Sequence, residues 1–207
     1  MSKQVDLDKP EFWEEIYQGG RAGWDLGGPT PAFLRLLESG LLPPGKMLVT
    51  CAGRGHDARA FARHGFRVDA VEFAAEPVRD MQALADPDAP VRVVQSDLFT
   101  LSHELNGQYD YVLEYTCYCA INPARRPEYA DLISRLLKPQ GILIALIFPT
   151  TAKPGGPPFY APVSQVLELF QSRGFKVLRQ ETPGDSVPQR KDSEELLIMQ
   201  KQDEVSR

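Results

Sequence analysis

Residues 46 to 57 read Lys-Met-Leu-Val-Thr-Cys-Ala-Gly-Arg-Gly-His-Asp, an apolar run followed by a glycine turn. Residues 47 to 51 are apolar or β-branched, which is typical of a buried strand in a parallel sheet. Gly53 and Gly55 allow the backbone to turn tightly, because glycine has no Cβ to clash. A helix should follow, and its N-terminus would point free N–H groups at a ligand above the strand. The stretch therefore predicts a cradle for a nucleotide-like cofactor.

An acidic residue, Glu72, stands near the end of the second predicted strand, Arg67 to Phe73. In nucleotide-binding βαβ units, an acid about 20 residues beyond the glycine turn accepts hydrogen bonds from ribose hydroxyls. Glycine turns alone are common in proteins. The turn and the acid together predict an adenosine site, with Glu72 and the neighbouring Phe73 among the residues that bind the cofactor.

Length and composition favour one α/β domain. The chain has 207 residues and no internal linker or repeat, and its net charge is −5 with a pI near 5.3. Nucleic-acid binding requires a basic face, so we expect no nucleic-acid partner, although a local basic patch stays open. The longest apolar run, residues 142 to 148, is too short to cross a bilayer, and the N-terminus lacks a signal-peptide pattern. We expect a cytoplasmic protein that acts on a small molecule, without a membrane partner, as a monomer or weak homodimer.

The cysteines and histidines show no ligand pattern. An odd number of cysteines in a chain of this size indicates no secreted disulfide framework and is typical of a reducing compartment. A redox or metal pair at 117 and 119 lacks a second Cys or His pair at zinc spacing, so no metal is predicted. The histidines are expected to be solvated helix or loop residues. The residues concerned are Cys51, Cys117, Cys119, His56, His64 and His103.

The N-terminal forty residues predict an arm. Residues 10 to 18 open with proline and space their aromatic residues on one face, which indicates a short amphipathic helix. Residues 19 to 31 are rich in glycine and proline and form a loop, yet they contain Trp24. A tryptophan is costly to leave in water. Either Trp24 fills the domain core, or the loop is a lid that holds Trp24 against a ligand.

The remaining pattern alternates strands and helices. Thr30 is expected to cap a helix that begins near Pro31 and ends at Gly40. Further helices are predicted near 76–84, 126–137 and 163–172, and strands at 91–95, 109–115, 141–148, 175–181 and 194–201, with a turn at 139–141 before the third of these strands. Right-handed βαβ crossovers then give a doubly wound, seven-stranded, mostly parallel sheet. The last two strands have no helix between them and should form an antiparallel pair at the edge.

Two further features lie at the carboxyl ends of strands. Asp97 follows the third strand and is placed to accept a hydrogen bond from the exocyclic amine of an adenine. Residues 149 to 162 form a second Gly/Pro-rich loop after the fifth strand, and loops in this position commonly carry function. We expect this loop and the N-terminal loop to become ordered when the cofactor binds.

The chain resembles the seven-stranded S-adenosylmethionine-dependent methyltransferases. It is most similar to the thiopurine S-methyltransferase superfamily and, within it, to halide and thiol methyltransferases. The segments that carry the resemblance run over nearly the whole chain. They are Phe-Trp-Glu-Glu-Ile-Tyr at 12–17, Trp-Asp at 24–25, Pro-Thr-Pro at 29–31, Gly-Arg-Gly-His-Asp at 53–57, Glu-Tyr-Thr at 114–116, Cys-Ala-Ile-Asn-Pro at 119–123, Leu-Lys-Pro at 137–139, Gly-Gly-Pro-Pro at 155–158 and Pro-Gln-Arg-Lys at 188–191.

The resemblance implies S-adenosylmethionine as the cofactor and a single methyltransferase domain over 1–207, with an N-terminal arm or lid at 1–40 and a Rossmann-like core at 45–202. It also implies roles for individual residues. The aromatic wall would be Trp13, Tyr17 and Trp24; the methionine cradle Gly53 and Gly55; the ribose acid Glu72; the adenine contacts Asp97 and Leu98; and the methionyl contacts Glu114 and Tyr115.

Three positions depart from the family pattern. Cys51-Ala52 stands where halide-methyltransferase relatives usually have Gly-Cys, Tyr115 stands where thiopurine enzymes carry arginine, and Phe159 stands where plant relatives tend to have tyrosine. The resemblance therefore leaves the methyl acceptor open, between a small soft nucleophile and a thiopurine or another small molecule. The tyrosine at position 115 favours a small or weakly charged acceptor.

No general base is expected near the methyl group, because no histidine falls at a strand's carboxyl end and the acids there are assigned to the cofactor. Hydrosulfide, small aromatic thiols, iodide and thiocyanate need no base, unlike alcohols, catechols and amines. The candidates to line the acceptor pocket and serve catalysis are Tyr115, Tyr118, Tyr160 and Arg190. The alternative is that the tyrosines pack in the core and that Arg190 lies in a solvated turn.

Two other classes compete with this interpretation. A nicotinamide dehydrogenase would use the same turn and acid, but its third glycine would fall at Asp57 or Ala58, and no Ser/Tyr/Lys catalytic set is evident. A non-catalytic S-adenosylmethionine-binding or adaptor protein would use the two Gly/Pro-rich loops as a partner surface.

Overall fold

The computed structural model describes residues 6–203. The first five residues of the predicted arm and the last four of the predicted domain lie outside the described residues. The α-helices are α1 (Pro10–Gln18), α2 (Pro31–Glu38), α3 (His56–Arg63), α4 (Ala75–Ala83), α5 (Arg126–Leu136) and α6 (Val163–Gln171). The strands are β1 (Lys46–Val49), β2 (Arg67–Glu72), β3 (Val91–Gln95), β4 (Tyr109–Tyr115), β5 (Leu137–Ile147), β6 (Phe175–Glu181) and β7 (Glu195–Lys201).

The strands form one seven-stranded sheet in the order β3-β2-β1-β4-β5-β7-β6. The first five strands run parallel, and β7 is antiparallel to both β5 and β6. The predicted fold class is therefore confirmed, including the antiparallel C-terminal pair. Because strand order reverses between β1 and β4, the carboxyl ends of these two strands border the crevice where such sheets bind ligands.

Helices cover both faces of the sheet, and alternate residues of each central strand point to opposite faces. On one face, Phe33 of α2 and Phe61 of α3 pack over Met47 of β1. On the other, Tyr129 of α5 and Phe170 of α6 belong to the cluster that contains Leu48 of β1. The two apolar clusters hold the strands rigidly and so fix where their carboxyl ends lie.

Two local predictions are wrong. Residues 139–141 do not form a turn before β5, because β5 already begins at Leu137 and absorbs Gln140, at φ 61°, where the register with β4 shifts. Thr30 precedes α2 as expected, but its hydroxyl donates to Asp57 and makes no cap hydrogen bond. In both cases a contact with a distant element overrides the local pattern.

Within residues 6–203 no helix is both long and apolar enough to cross a membrane. The same residues contain no group of three or more His, Cys, Asp or Glu side chains arranged to hold a metal ion.

Candidate active site

A cavity of about 740 Å³ lies at the carboxyl edge of the sheet. Its floor is formed by residues that end or follow successive parallel strands: Cys51 after β1, Glu72 of β2, Asp97 after β3, Cys117 after β4 and Phe148 after β5. Residues from the N-terminal arm and from the loops at 156–158 and 189–190 form the rest of the wall. We call this space the main cavity. A smaller depression beside it is bordered by the glycine turn, Trp24 and Tyr115.

The glycine turn brings the backbone under the arm. Gly53 has φ +54°, and a Cβ at this position would lie 3.3 Å from the Tyr17 hydroxyl. Gly55 has φ +71°, and a Cβ there would lie 2.6 Å from Met81 Sδ, on the side of α4. Gly53 therefore borders the side depression, whereas Gly55 lies outside the main cavity and is required by the turn and by packing against α4.

Glu72 is held by backbone N–H groups. Its carboxylate accepts from Gly53 N at 2.7 Å, Phe73 N at 2.7 Å and Ala74 N at 2.9 Å. Burial raises the pKa of Glu72, although these three hydrogen bonds act in the opposite direction. A carboxylate offers about four acceptor positions, so one remains for a ligand hydroxyl. Glu72 lines the main cavity, as does Phe73.

The turn after β3 forms the far end of the main cavity. Asp97 accepts from Phe99 N at 2.9 Å, and Leu98 is buried beside it. The guanidinium of Arg125 lies 3.7 Å from the centre of the Phe99 ring and binds Asp8 of the arm at 2.8 Å. An apolar wall next to a carboxylate suits a flat heterocycle that carries an amine.

The arm covers the main cavity with three aromatic rings. Trp24 Nε1 donates to the Tyr17 hydroxyl at 3.0 Å, and the Trp24 ring lies edge-on to Trp13 and Tyr17 with centroid distances of 5.6 and 5.4 Å. All three residues line the main cavity. Trp24 belongs to neither apolar cluster of the core, so the core-filling alternative is wrong.

Polar contacts fasten the arm to the turn. Asp25 binds Arg54 Nη1 at 2.6 Å and His56 Nε2 at 3.1 Å. Thr30 donates to Asp57 through both its backbone N–H, at 2.7 Å, and its hydroxyl, at 2.8 Å. His56 was expected to be solvated, but its side chain is only partly exposed and contacts the carboxylate of Asp25. These contacts join the Trp-Asp and Pro-Thr-Pro segments of the arm to the Gly-Arg-Gly-His-Asp turn.

A buried polar cluster closes the opposite end of the main cavity. Arg190 is 4% exposed and Glu194 is 3% exposed. Arg190 Nη1 donates to the Tyr115 hydroxyl, which donates in turn to Glu194 Oε1. Arg190 Nη2 donates to the Trp24 carbonyl at 2.9 Å. Arg190 lines the main cavity and Tyr115 the side depression, so the solvated-turn alternative for Arg190 is wrong.

Six predicted site residues lie outside the lining of the main cavity: Gly53, Gly55 and Tyr115, described above, and Tyr118, Tyr160 and Glu114. Tyr118 is buried against Tyr129 and lies beneath the Arg126 guanidinium, 4.4 Å from the ring centre. Tyr160 contributes its carbonyl oxygen as an acceptor for Arg126. Glu114 is fully buried and binds the Tyr129 hydroxyl, Thr50 and Tyr118 N, and burial raises its pKa. The sequence could not show that these side chains turn away from the strand edge.

The cysteines behave differently from the prediction. The sequence indicated no disulfide framework, but the structure joins Cys51 to Cys117, with the Cα atoms 5.4 Å apart. The two residues are 66 positions apart in sequence and meet only because β1 and β4 are neighbours. Cys119 is free and buried, and burial raises the pKa of its thiol to about 12.

Sequence reasoning missed several residues that shape the site. Arg125 and Phe99 form the wall near Asp97, and Glu14 of α1 accepts from the N–H groups of Ala75 and Glu76 and so anchors the arm on α4. No local pattern signals Arg125, and Glu14 belongs to the quoted segment at 12–17, which does not indicate its contact with α4. Asp25 could have been found, because it belongs to one of the quoted motifs and its partner Arg54 belongs to another.

Comparisons with known proteins agree on a family. The family model described as "Thiopurine S-methyltransferase (TPMT)" matches residues 8–206. The chain is 35% identical over 187 residues to thiocyanate methyltransferase 1 of Brassica oleracea, and the aligned region covers 89% of this chain and 82% of that protein. It is also 35% identical over 169 residues to a probable thiol methyltransferase 2 of Arabidopsis thaliana, over 80% of this chain and 74% of that protein.

Solved structures share the fold at lower identity. One is 1,6-didemethyltoxoflavin-N1-methyltransferase of Burkholderia thailandensis, with 1,6-didemethyltoxoflavin and S-adenosylhomocysteine bound. It matches with a TM-score of 0.70 and 21% identity, over 97% of this chain and 93% of that chain. The sheet order and the antiparallel C-terminal strands are thus those of the S-adenosylmethionine-dependent methyltransferases.

Proposed function

The chain belongs to the thiopurine S-methyltransferase family, and from this premise we propose that it methylates a small soft nucleophile: a thiol, hydrosulfide or a halide. As a member of this family it is an S-adenosylmethionine-dependent methyltransferase. The observation that carries the proposed acceptor class is that the main cavity has no free general base among its described lining residues.

The residues present fit the cofactor. We propose that Glu72 receives a ribose hydroxyl, that Asp97, Leu98 and Phe73 hold the adenine, and that Trp13, Tyr17 and Trp24 cover it. Gly53 would lie below the methionyl end, where a side chain would meet the Tyr17 hydroxyl. Gly55 would affect the methionyl end only indirectly, because its positive φ allows the conformation of the turn. When bound, S-adenosylmethionine supplies an electrophilic methyl group on a sulfonium sulfur.

The titratable groups of the lining are already engaged. Glu72 accepts three N–H groups, Asp97 accepts one, and Asp8 binds Arg125. Burial raises the pKa of the Cys119 thiol to about 12 and raises that of Tyr115 as well, so both stay protonated at neutral pH. No histidine is among the described lining residues of the main cavity. An alcohol, catechol or amine would find no group to take its proton.

A thiolate or a halide needs only positioning and removal of water. Holding the reactants in line is worth roughly 7–11 kcal/mol at best. The aromatic rings of the arm line the main cavity and exclude water from it, and Arg190, whose charge is paired with that of Glu194, forms part of the wall. A free thiol with a pKa of about 8.5 is already partly ionised near neutral pH.

The acceptor end also favours a small, weakly charged molecule. Arg190 and Glu194 balance each other's charge across the Tyr115 hydroxyl. Nη2 of Arg190 also donates a hydrogen bond to the Trp24 carbonyl. Arg190 therefore has few N–H donors left for a carboxylate-like group on the acceptor, so a thiopurine fits this end less well. Tyr118, Tyr160 and Glu114 would act on this end only through the residues packed against them.

The proposal is tested by a headspace and product screen. S-adenosylmethionine is supplied with iodide, hydrosulfide, thiophenol, a thiopurine or catechol. We expect hydrosulfide, thiophenol and iodide to be methylated fastest. Faster turnover of catechol contradicts a site without a base, and faster turnover of the thiopurine moves the acceptor to the thiopurine class. If no acceptor is methylated, the proposed acceptor class is wrong.

A matched pair of tyrosine variants sharpens the screen. Tyr115→Phe removes the hydroxyl between Arg190 and Glu194, whereas Tyr111→Phe removes a hydroxyl that donates to the Pro43 carbonyl at the other end of β4. We expect the ratio of iodide to thiophenol turnover to change only in Tyr115→Phe.

We further propose that residues 1–207 act as a single methyltransferase domain with the 1–40 arm as its lid. The net charge of −5 supports a small-molecule partner over a nucleic acid. A cytoplasmic location and a monomeric or weakly dimeric state stay predictions, and light scattering across a concentration series tests the second.

A further inference from the structure

The Cys51–Cys117 disulfide lies in the wall of the main cavity. Cys51 is partly exposed and borders both the main cavity and the side depression. Cys117 also contributes to the lining of the main cavity but is fully buried. Cys117 belongs to the apolar cluster that also contains Tyr129 and Phe170, and Cys51 packs against this cluster, so the disulfide lies where the core borders the main cavity. A disulfide at this border can be reached by a small molecule that enters the cavity beside Cys51.

The same cavity is the one proposed to receive thiolates. A thiolate attacks a disulfide sulfur directly, and the rate depends strongly on access. This inference rests on the proposed function only for the chemical class of the incoming molecule.

We propose that Cys51–Cys117 is a thiol–disulfide exchange site that opens into the main cavity and reacts with small thiolates or hydrosulfide. The thiolate sulfur forms a bond to Cys51 Sγ, the Sγ–Sγ bond breaks, and its electron pair goes to Cys117 Sγ, which takes a proton from water. A second thiolate attacks the sulfur derived from the first, releases the Cys51 thiolate and forms the thiol's own disulfide. Two thiols are oxidised, and one protein disulfide is reduced to two thiols.

The burial of the two sulfur-bearing residues sets the direction of attack. Cys51 is the partly exposed partner and follows β1 at the entrance to the glycine turn, whereas Cys117 is fully buried. The mixed disulfide therefore forms on Cys51, and Cys117 is the leaving sulfur. Cys119 is buried and unpaired and takes no part in the first step.

Two consequences follow from the position of the site. A molecule bound in the cofactor site blocks the path to Cys51, so S-adenosylhomocysteine should protect the disulfide. Bulky thiols such as glutathione should react more slowly than hydrosulfide or thiophenol, because the arm narrows the entrance. If thiols instead reached the disulfide from bulk solvent, S-adenosylhomocysteine would not protect it and bulky thiols would not react more slowly.

The experiment counts thiols by mass spectrometry of the full chain. Protein purified without reductant is incubated with thiophenol or glutathione, with and without S-adenosylhomocysteine at about ten times its Kd. At that excess about one molecule in eleven is free, so exchange should slow about tenfold. Peptide mapping of quenched samples should find the mixed disulfide on Cys51.

Single variants separate the three sulfurs. Cys117→Ser leaves a Cys51 thiol that should react with diphenyl disulfide and be protected by S-adenosylhomocysteine. Cys51→Ser leaves only buried thiols, which should react at least several-fold more slowly. Cys119→Ser is the matched control, and in it both the exchange and its protection should persist.

Three results would overturn the proposal: three free thiols in the protein as purified, equal exchange rates with and without S-adenosylhomocysteine, or a mixed disulfide on Cys117 in place of Cys51. None of these three measurements depends on methyl transfer by the protein. A protein that exchanges with protection but methylates no thiol or halide contradicts the acceptor class alone, and one that methylates thiols without exchange contradicts only this inference.

Discussion

The two ends of the main cavity are constructed in different ways. At the end near Glu72 and Asp97, carboxylates at strand ends are held by backbone N–H groups of the next few residues or of the adjacent turn. At the end near Arg190, a side-chain cluster joins β4, the arm and the segment before β7. The first end depends on local backbone geometry, and the second depends on contacts between distant parts of the chain.

We propose that this difference separates the end that binds the shared cofactor from the end that selects the acceptor. A strand end with its backbone N–H groups follows directly from the fold and suits a cofactor common to the whole family. The side chains of Tyr115, Arg190 and Glu194 and the carbonyl of Trp24 come from three separate segments that meet beyond the central strands. We therefore expect substitutions near Glu72 to act on cofactor affinity, and substitutions near Arg190 to act on stability, arm closure and acceptor choice.

The largest effect is expected from Arg190→Met. The change leaves Glu194 buried with only the Tyr115 hydroxyl as its partner. Breaking a buried charged pair costs about 3–5 kcal/mol. Urea unfolding should show this loss in the free energy of unfolding. The double variant Arg190→Met/Glu194→Gln should recover most of it, because no unpaired charge remains.

A surface ion pair provides the control for this variant. Arg179 binds Glu181 at 2.6 Å, with 36% of the Arg179 side chain exposed. Arg179→Met should cost only about 0–1 kcal/mol, since exposed pairs contribute little. Equal losses in the two single variants would show that the Arg190 cluster is no more tightly coupled than the surface.

At the other end, Glu72→Ala should weaken binding of S-adenosylhomocysteine by about 1–3 kcal/mol, which corresponds to roughly 5- to 150-fold in Kd. The variant removes the proposed acceptor of the ribose hydroxyl and leaves the N–H groups of Gly53, Phe73 and Ala74 without their hydrogen-bond acceptor. Calorimetry measures the change. Glu11→Ala, which removes a charge from the exposed side of α1, should leave the Kd as it is. Unchanged affinity in Glu72→Ala would refute the ribose assignment.

The sequence was sufficient for the end near Glu72. The apolar strand, the glycine turn and the acid at its spacing predicted the position of Glu72, because each signal is local and the parallel sheet brings strand ends together. Asp97 was placed for the same reason. The boundaries of β5 were wrong because Gln140 is accommodated by a shift in pairing with β4, which only the neighbouring strand determines.

The other end was only partly predictable. Arg190 was chosen from the family motif, but its partner Glu194 and its bond to the Trp24 carbonyl depend on how the arm lies over the sheet. Tyr118 was expected at the cavity because it follows β4, yet its side chain turns into the core. The Cys51–Cys117 bond was not predicted, because a doubly wound sheet places β1 beside β4 but does not show that the side chains of the two cysteines meet.

The smallest effect concerns the joint between the arm and the cofactor turn. Asp25→Asn removes the charge that binds Arg54 and His56. A partly exposed pair contributes about 0.5–1 kcal/mol, so hydrogen exchange of the amides in residues 17–28 should speed up about two- to fivefold. Asp86→Asn, which breaks the ion pair with Arg63 away from the arm, is the control and should leave these amides unchanged.

The same joint predicts an acid step in arm docking. Burial raises the pKa of Asp25, but hydrogen bonds from Arg54 and Gly27 N–H, together with the charges of His56 and Arg54, outweigh burial and hold this pKa below its ordinary value of 3.8. A group whose pKa is lower in the docked state stabilises docking above the undocked pKa, and this contribution is lost as the pH falls through the docked pKa. Tryptophan fluorescence of Trp13 and Trp24 should therefore change in the wild type as the pH falls below about 4. In Asp25→Asn the arm should be looser than in the wild type at neutral pH and should not loosen further as the pH falls, so this step should be absent; if the step persists unchanged, another group controls the arm.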